Sequence, residues 1–117
     1  MNMNKSHFEA EGQEEEERRK KFFGRILKKA RLIRGKSQRD LAFSAKVDAG
    51  YLSRIENGRR NPPLPRIILK LATALDIDSV LLMMAAGYLK YDPVSNTKLT
   101  EEDIIIKIER SLMKKGT

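Results

Sequence analysis

Residues 37–58 read SQRDLAFSAKVDAGYLSRIENG, and the chemistry of this stretch sets the reading of everything around it. Ser37 offers a side-chain oxygen to the first free amides of a helix. Asp40, three residues on, can return the bond, a variant of the capping box. Leu41 and Ala42 supply the apolar face of a short helix, and Ala45, Lys46 and Val47 fit a tight turn. Asp48 caps a further helix whose inward positions are Leu52 and Ile55. Asn57 and Gly58 end it, because both tolerate the left-handed backbone of a helix C-terminus.

Working outward, Phe23, Ile26, Leu27, Ala30 and Ile33 recur at three- and four-residue steps until Gly35, which predicts a first helix opening at Phe22. Downstream, Pro62, Pro63 and Pro65 mark a loop and the first turn of a fourth helix, with Ile67, Ile68, Leu71, Ala72 and Leu75 as its apolar stripe. A fifth helix starts at Asp78 or Ser79, runs through Val80, Leu81, Leu82, Met83, Met84 and Ala85, and stops at Gly87. It is apolar nearly all round, so more than one face is expected to be covered. Met83 and Met84 are read as core fillers. A linker over 88–99 contains Asp92-Pro93, which disfavours helix, and its Tyr88 and Tyr91 are expected to pack on helix five. Thr100 with Asp103 is another capping box. It opens a sixth helix with Ile104, Ile105, Ile108 and Leu112 on one face. No strand pattern and no internal repeat is visible.

The fold expected is therefore all-α, a five-helix bundle over residues 22–89. It is preceded by a charged arm over 1–21 and followed by a linker and an extra C-terminal helix over 90–117. The arm is few in large apolar residues and joins an acidic run, 14–17, to a basic run, 18–21. It reads as a disordered, solvated tail that turns helical near Phe22, with a basic arm that touches DNA as the alternative. The C-terminal stripe, lying beyond a complete bundle, packs either on its own domain or on a partner chain, and is read as a dimerisation element in preference.

A chain of 117 residues is about one domain. With no cysteine there is no disulfide scaffold, thiolate metal site or cysteine nucleophile, which fits a reducing, cytoplasmic setting. No apolar run approaches the roughly 20 residues of a membrane span, and the N-terminus lacks a secretory h-region, so no membrane partner is expected. The net charge of +8 is unevenly placed. Residues 22–91 hold fourteen basic against five acidic side chains, while both flanks are near neutral. That concentration is what a polyanionic partner requires. An enzyme is not expected: His7 is the only histidine, 14–17 is a solvated run, and no phosphate loop or nucleophile with a base is present. Neither a metal nor a cofactor is called for.

Two short helices joined by a tight turn, the second with small residues at its head and a basic loop after it, describe a helix-turn-helix. An α-helix fits the DNA major groove, about 12 Å wide, where base edges display a distinct donor and acceptor pattern. The blocks Ser37-Gln38-Arg39-Asp40-Leu41-Ala42 and Tyr51-Leu52-Ser53-Arg54-Ile55-Glu56-Asn57-Gly58, followed by Asn61-Pro62, closely resemble the phage repressor and Cro type of helix-turn-helix, the Xre family of regulators. The resemblance covers about residues 22–89.

The resemblance implies a repressor-type bundle that binds double-stranded operator DNA as a homodimer and represses transcription, with a protein effector as a further partner. It assigns DNA contact to Gln38, Ala49, Gly50, Tyr51, Ser53, Arg54, Asn57, Arg59 and Arg60. Gln38 would bond a phosphate and brace the recognition helix over 49–56. Ala49, Gly50 and Arg54 would face the groove, and Asn57, Arg59 and Arg60 would clamp phosphates. Arg31 and Glu56 would form a structural pair tying the first helix to the third. Two positions depart from the family pattern. Lys46 stands where glycine is usual in the turn. Ala49 and Gly50 replace side chains able to bond adenine, so specificity leans on Arg54, methyl contact or DNA shape. The alternative from another class is a protein-binding module such as an antitoxin or anti-repressor. Binding of single strands or RNA lacks the interleaved aromatics it would need.

Overall fold

The computed structural model describes residues 2–115, with side chains from 11 to 114. Met1, Gly116, Thr117 and the side chain of His7 lie outside the described residues. The helices are α1 (Asn2–Ile33), α2 (Gln38–Ala45), α3 (Ala49–Glu56), α4 (Pro65–Leu75), α5 (Ser79–Ala86) and α6 (Glu101–Lys115). Side-chain caps open α2, α3, α5 and α6, as the residue types there predict, while α4 opens on Pro65 with no side-chain cap bond. Ser37 and Asp40 close a reciprocal capping box on α2. Asp48 accepts from the Tyr51 amide at 2.8 Å to open α3. Asp78 caps α5, and Thr100 with Asp103 form the second reciprocal box, on α6. Lys46 ends α2 with φ of 57°, so the lysine takes the left-handed conformation that glycine usually supplies.

Two expectations are corrected. Where the charge block predicts a disordered arm over 1–21, α1 is one continuous helix from Asn2. Extending an existing helix avoids the nucleation penalty, and pairs at helical spacing support the extension. Arg19 meets Glu15 at 3.3 Å and Lys20 meets Glu17 at 2.9 Å. Arg19 also packs closely over Gly87, where a Cβ would lie 2.7 Å from its Nε.

The apolar stripe of α6 is the second correction. Ile104, Ile108 and Leu112 are buried in the chain's own core, against α1 and α5, rather than presented to a second copy. The linker is also ordered as a small hairpin. Tyr91 and Lys98 form an antiparallel bridge, Asp92 accepts from the amides of Val94 and Ser95, and Asn96 turns with φ of 59°. Among the described residues that bridge is the sole β pairing. Of the two tyrosines, Tyr88 donates its hydroxyl to the Pro63 carbonyl at 3.2 Å, and Tyr91 is largely exposed.

One apolar cluster unites all six helices. α1 packs on α3, α5 and α6; α2 packs on α3 and α4; α4 packs on α5. Phe23, Leu27, Leu41, Leu52, Ile55, Leu71 and Leu82 are among its fully buried members. α2 and α3 thus stand against a rigid platform, with one face of α3 left to solvent.

Candidate nucleic-acid interface

The orientation of α3 is set at its C-terminal end. Glu56 lies in the last turn, where the helix dipole disfavours a carboxylate, yet its side chain is 1% exposed. Arg31 of α1 resolves the conflict with a two-pronged bond. Its Nε donates to Oε2 at 2.7 Å and its Nη2 to Oε1 at 2.9 Å. The same guanidinium donates through Nη1 to the Lys36 carbonyl at 2.8 Å, and the bond to Glu56 raises the Arg31 pKa further above its ordinary value, against the opposing effect of burial. Gln38 completes the hub, its Nε2 donating to Glu56 Oε1 at 3.0 Å. Three elements therefore meet at one carboxylate: α1, the start of α2 and the end of α3. The family-implied Arg31–Glu56 pair is present, and so is the bracing half of the role implied for Gln38.

A second constraint escaped the sequence reading. At Gly24, in the middle of α1, a Cβ would fall 2.5 Å from the Ile55 carbonyl oxygen and 2.6 Å from that of Glu56. Those distances are impossible for any side chain, so α1 crosses the C-terminal carbonyls of α3 backbone to backbone. The available signal was a glycine inside an otherwise strong helical run. Arg34 is the other residue missed. Its guanidinium donates to the carbonyls of Leu75, Asp76 and Leu112, gathering the ends of α4 and α6 onto α1.

On the outer side of α3, Ala49, Gly50 and Arg54 are exposed. A Cβ built on Gly50 would lie 3.4 Å from Arg54 Nη1 and 3.0 Å from Asp48 Oδ2, so the Arg54 guanidinium lies over the bare backbone at the head of the helix. Arg54 forms no ion pair with Asp48, whose carboxylate caps α3, or with Glu56, which is turned inward to Arg31. Ser53 is half-buried and meets Asn57 Nδ2 at 3.4 Å. Tyr51 is half-buried against the core, and Arg60 sits over its ring at 5.7 Å from the centroid, within cation–π range. Burial pushes the Tyr51 phenol up, with Arg60 opposing. Asn57, Arg59 and Arg60 are exposed in the loop after α3, and Arg59 donates its amide back to the Arg54 carbonyl at 2.9 Å. The structure thus brings the nine sequence-assigned residues into one neighbourhood, with Gln38 and Tyr51 supporting from beneath. Among the described residues no group of three or more histidine or acidic side chains could hold a metal ion, and no helix is long and apolar enough to cross a membrane.

A family model described as helix-turn-helix matches residues 27–82. The chain is 44% identical over 68 residues to the HTH-type transcriptional repressor RghR of Bacillus subtilis, a match covering 58% of this chain and 50% of that one. Among solved structures, the restriction-modification controller protein C.AhdI from Aeromonas hydrophila is 44% identical with a TM-score of 0.51, covering 54% of this chain and 94% of that one. The clp gene regulator ClgR from C. glutamicum is 26% identical with a TM-score of 0.52, covering 60% and 90%. The chain spans about half the length of the curated relatives it matches.

Proposed function

Because this chain belongs to the Xre-type helix-turn-helix family of DNA-binding transcriptional regulators, we propose that it recognises a two-fold operator through α3 laid in the major groove, acting as a homodimeric repressor in the cytoplasm rather than as an enzyme. The observation that carries this reading is the outer face of α3: small residues at its head, one long exposed arginine beyond them, and the whole helix locked by the Arg31–Glu56–Gln38 hub. A flat helix head lets the backbone approach the groove floor closely, and Arg54 then has the reach to meet a guanine edge. Asn57, Arg59 and Arg60 follow the end of α3, where the chain would pass the sugar–phosphate backbone. A dimer is supported by size, since eight residues of α3 rise about 12 Å and meet too few base pairs to define a site alone.

Binding titrations on operator and random duplexes at several salt concentrations test the assignment. Arg54→Ala is expected to cost about 1–3 kcal/mol on the operator and to flatten the preference at one base pair, with little loss on random DNA. Arg59→Ala is expected to weaken both duplexes alike and lower the salt slope by about one. Equal weakening of both duplexes by Arg54→Ala, with a reduced slope, would make Arg54 a phosphate contact and remove it from the reading head.

A further inference from the structure

The extension of α1 carries a feature outside the helix-turn-helix. Arg18, Lys21, Arg25 and Lys28 follow one another at steps of three and four residues and are all exposed, so they form a single cationic stripe along the helix. Other cations of α1 are neutralised by neighbours: Arg19 by Glu15, Lys20 by Glu17, and Lys29 by Glu109. The four stripe residues form no ion pair among the described residues, although Lys21 contributes to lowering the pKa of Glu17. The stripe is also tied to the candidate interface. A Cβ on Gly58 would lie 3.1 Å from Lys21 Cγ and 3.3 Å from Lys21 Cα, so α1 abuts the turn that carries Asn57, Arg59 and Arg60. The contact of Gly24 with the Ile55 and Glu56 carbonyls fixes the same crossing one turn further on.

We propose that this stripe is a second DNA-backbone contact surface, continuous with the loop after α3, which grips phosphates adjoining those met by Arg59 and Arg60. The inference rests on the reading of α3 as the groove-binding helix. From Arg18 to Lys28 the helix rises about 15 Å, and phosphates of one strand succeed each other every 3.4 Å or so along the duplex axis. The stripe therefore matches several consecutive phosphates of one strand. Glu14 and Glu17 lie beside Arg18, Lys21 and Arg25, so contact with the DNA backbone would end where the acidic run 14–17 begins.

The test is the salt dependence of duplex binding by the full chain. Lys21→Gln/Arg25→Gln is expected to lower the slope by nearly two, at about 0.9 for each phosphate no longer neutralised, and to weaken binding at low salt on operator and random duplex alike. Lys90→Gln/Lys98→Gln removes the same charge from the hairpin and is expected to leave the slope unchanged within about half a unit. Circular dichroism confirms that both variants fold. If the α1 double variant keeps the wild-type slope, or if both doubles lower it equally, the stripe is not a contact surface and the proposal falls while operator recognition stands. If the unaltered protein shows no salt-dependent duplex binding, the reading of α3 itself fails.

Discussion

Glu56 shows how a single side chain sets the pose of α3. Its carboxylate is buried at the negative end of α3 and stays there because Arg31 neutralises it and Gln38 takes a remaining lone pair. Glu56→Gln leaves the Arg31 guanidinium buried without its charge partner, and the expected loss is about 3–5 kcal/mol in denaturant unfolding. Arg31→Met with Glu56→Leu removes both charges and is expected to recover much of it. Losses that simply add would show that the two residues act independently. Gly24 argues in the opposite direction. Helix propensity alone favours Gly24→Ala by about 1 kcal/mol, but the new methyl meets two backbone oxygens. The expected outcome is net destabilisation of about 1–3 kcal/mol, together with weaker operator binding as α3 tilts. A melting temperature equal to or above that of the parent would contradict it.

Among the elements, α6 and the hairpin before it act as structural parts of the domain. Ile104, Ile108 and Leu112 are buried at 6%, 0% and 1% exposure, and each such side chain contributes about 1.5–3 kcal/mol. Truncation after Leu99 is therefore expected to yield a chain with a greatly lowered melting temperature and exposed apolar surface, seen by dye binding, rather than a folded monomer. Lys29 with Glu109 and the Arg34 bond to the Leu112 carbonyl reinforce the docking. The hairpin is clipped to α6 by Asp92. The Ser95 amide, the Lys107 ammonium at 2.9 Å and the Val94 amide hold its carboxyl down at about 2, below the ordinary aspartate value of about 3.9. A lowered folded-state value contributes stability above the ordinary value, and that contribution disappears as the pH falls through about 2. Asp92→Asn is thus expected to melt below the parent at neutral pH, with the gap closing between about pH 4 and pH 2. A gap that persists at the acid end would mean that the charge is not what holds the hairpin.

At the scale of the whole molecule, the charge distribution and the symmetry of the proposed operator bear on behaviour. The surplus of nine positive charges over residues 22–91 lies on the segment that carries α2, α3 and the loop after them, so association with duplex DNA is expected to be steered and strongly salt-dependent. The proposed dimer makes a geometric statement as well. Two copies of α3 must enter successive major grooves about one helical turn apart, or 10–10.5 base pairs. A duplex with both half-sites at that spacing is expected to take two chains cooperatively. Inserting about half a turn, roughly five base pairs, is expected to abolish the cooperativity because the second helix then faces the wrong side of the duplex. Sedimentation of protein–DNA mixtures reads the stoichiometry directly, and cooperative binding that survives the half-turn insertion would rule the rigid dimer out.

What the sequence determined by itself lies in signals spanning a few residues. Caps at Ser37, Asp48 and Thr100, the stop at Gly87 and the three-to-four-residue spacing of Leu52, Ile55, Ile68, Leu71 and Leu75 are satisfied by near neighbours, so they could be read before any packing was known. The candidate site was legible for the same reason, because α3 and its loop are contiguous and match a family pattern. Other features depended on groups far apart in the chain. Whether residues 11–21 were helix or tail turned partly on Arg19 meeting Gly87. Whether the α6 stripe faced a partner or its own core turned on α1 and α5 being there to cover it. Periodicity shows that a face is apolar and leaves open what covers it. Segment charge concealed Lys21 in a near-neutral flank, and only the approach of α1 to Gly58 set that lysine beside the loop after α3. Local conformational preference is a property of neighbouring residues, whereas the placement of a surface depends on long-range backbone contacts such as Gly24 against α3, which become visible only once the chain is packed.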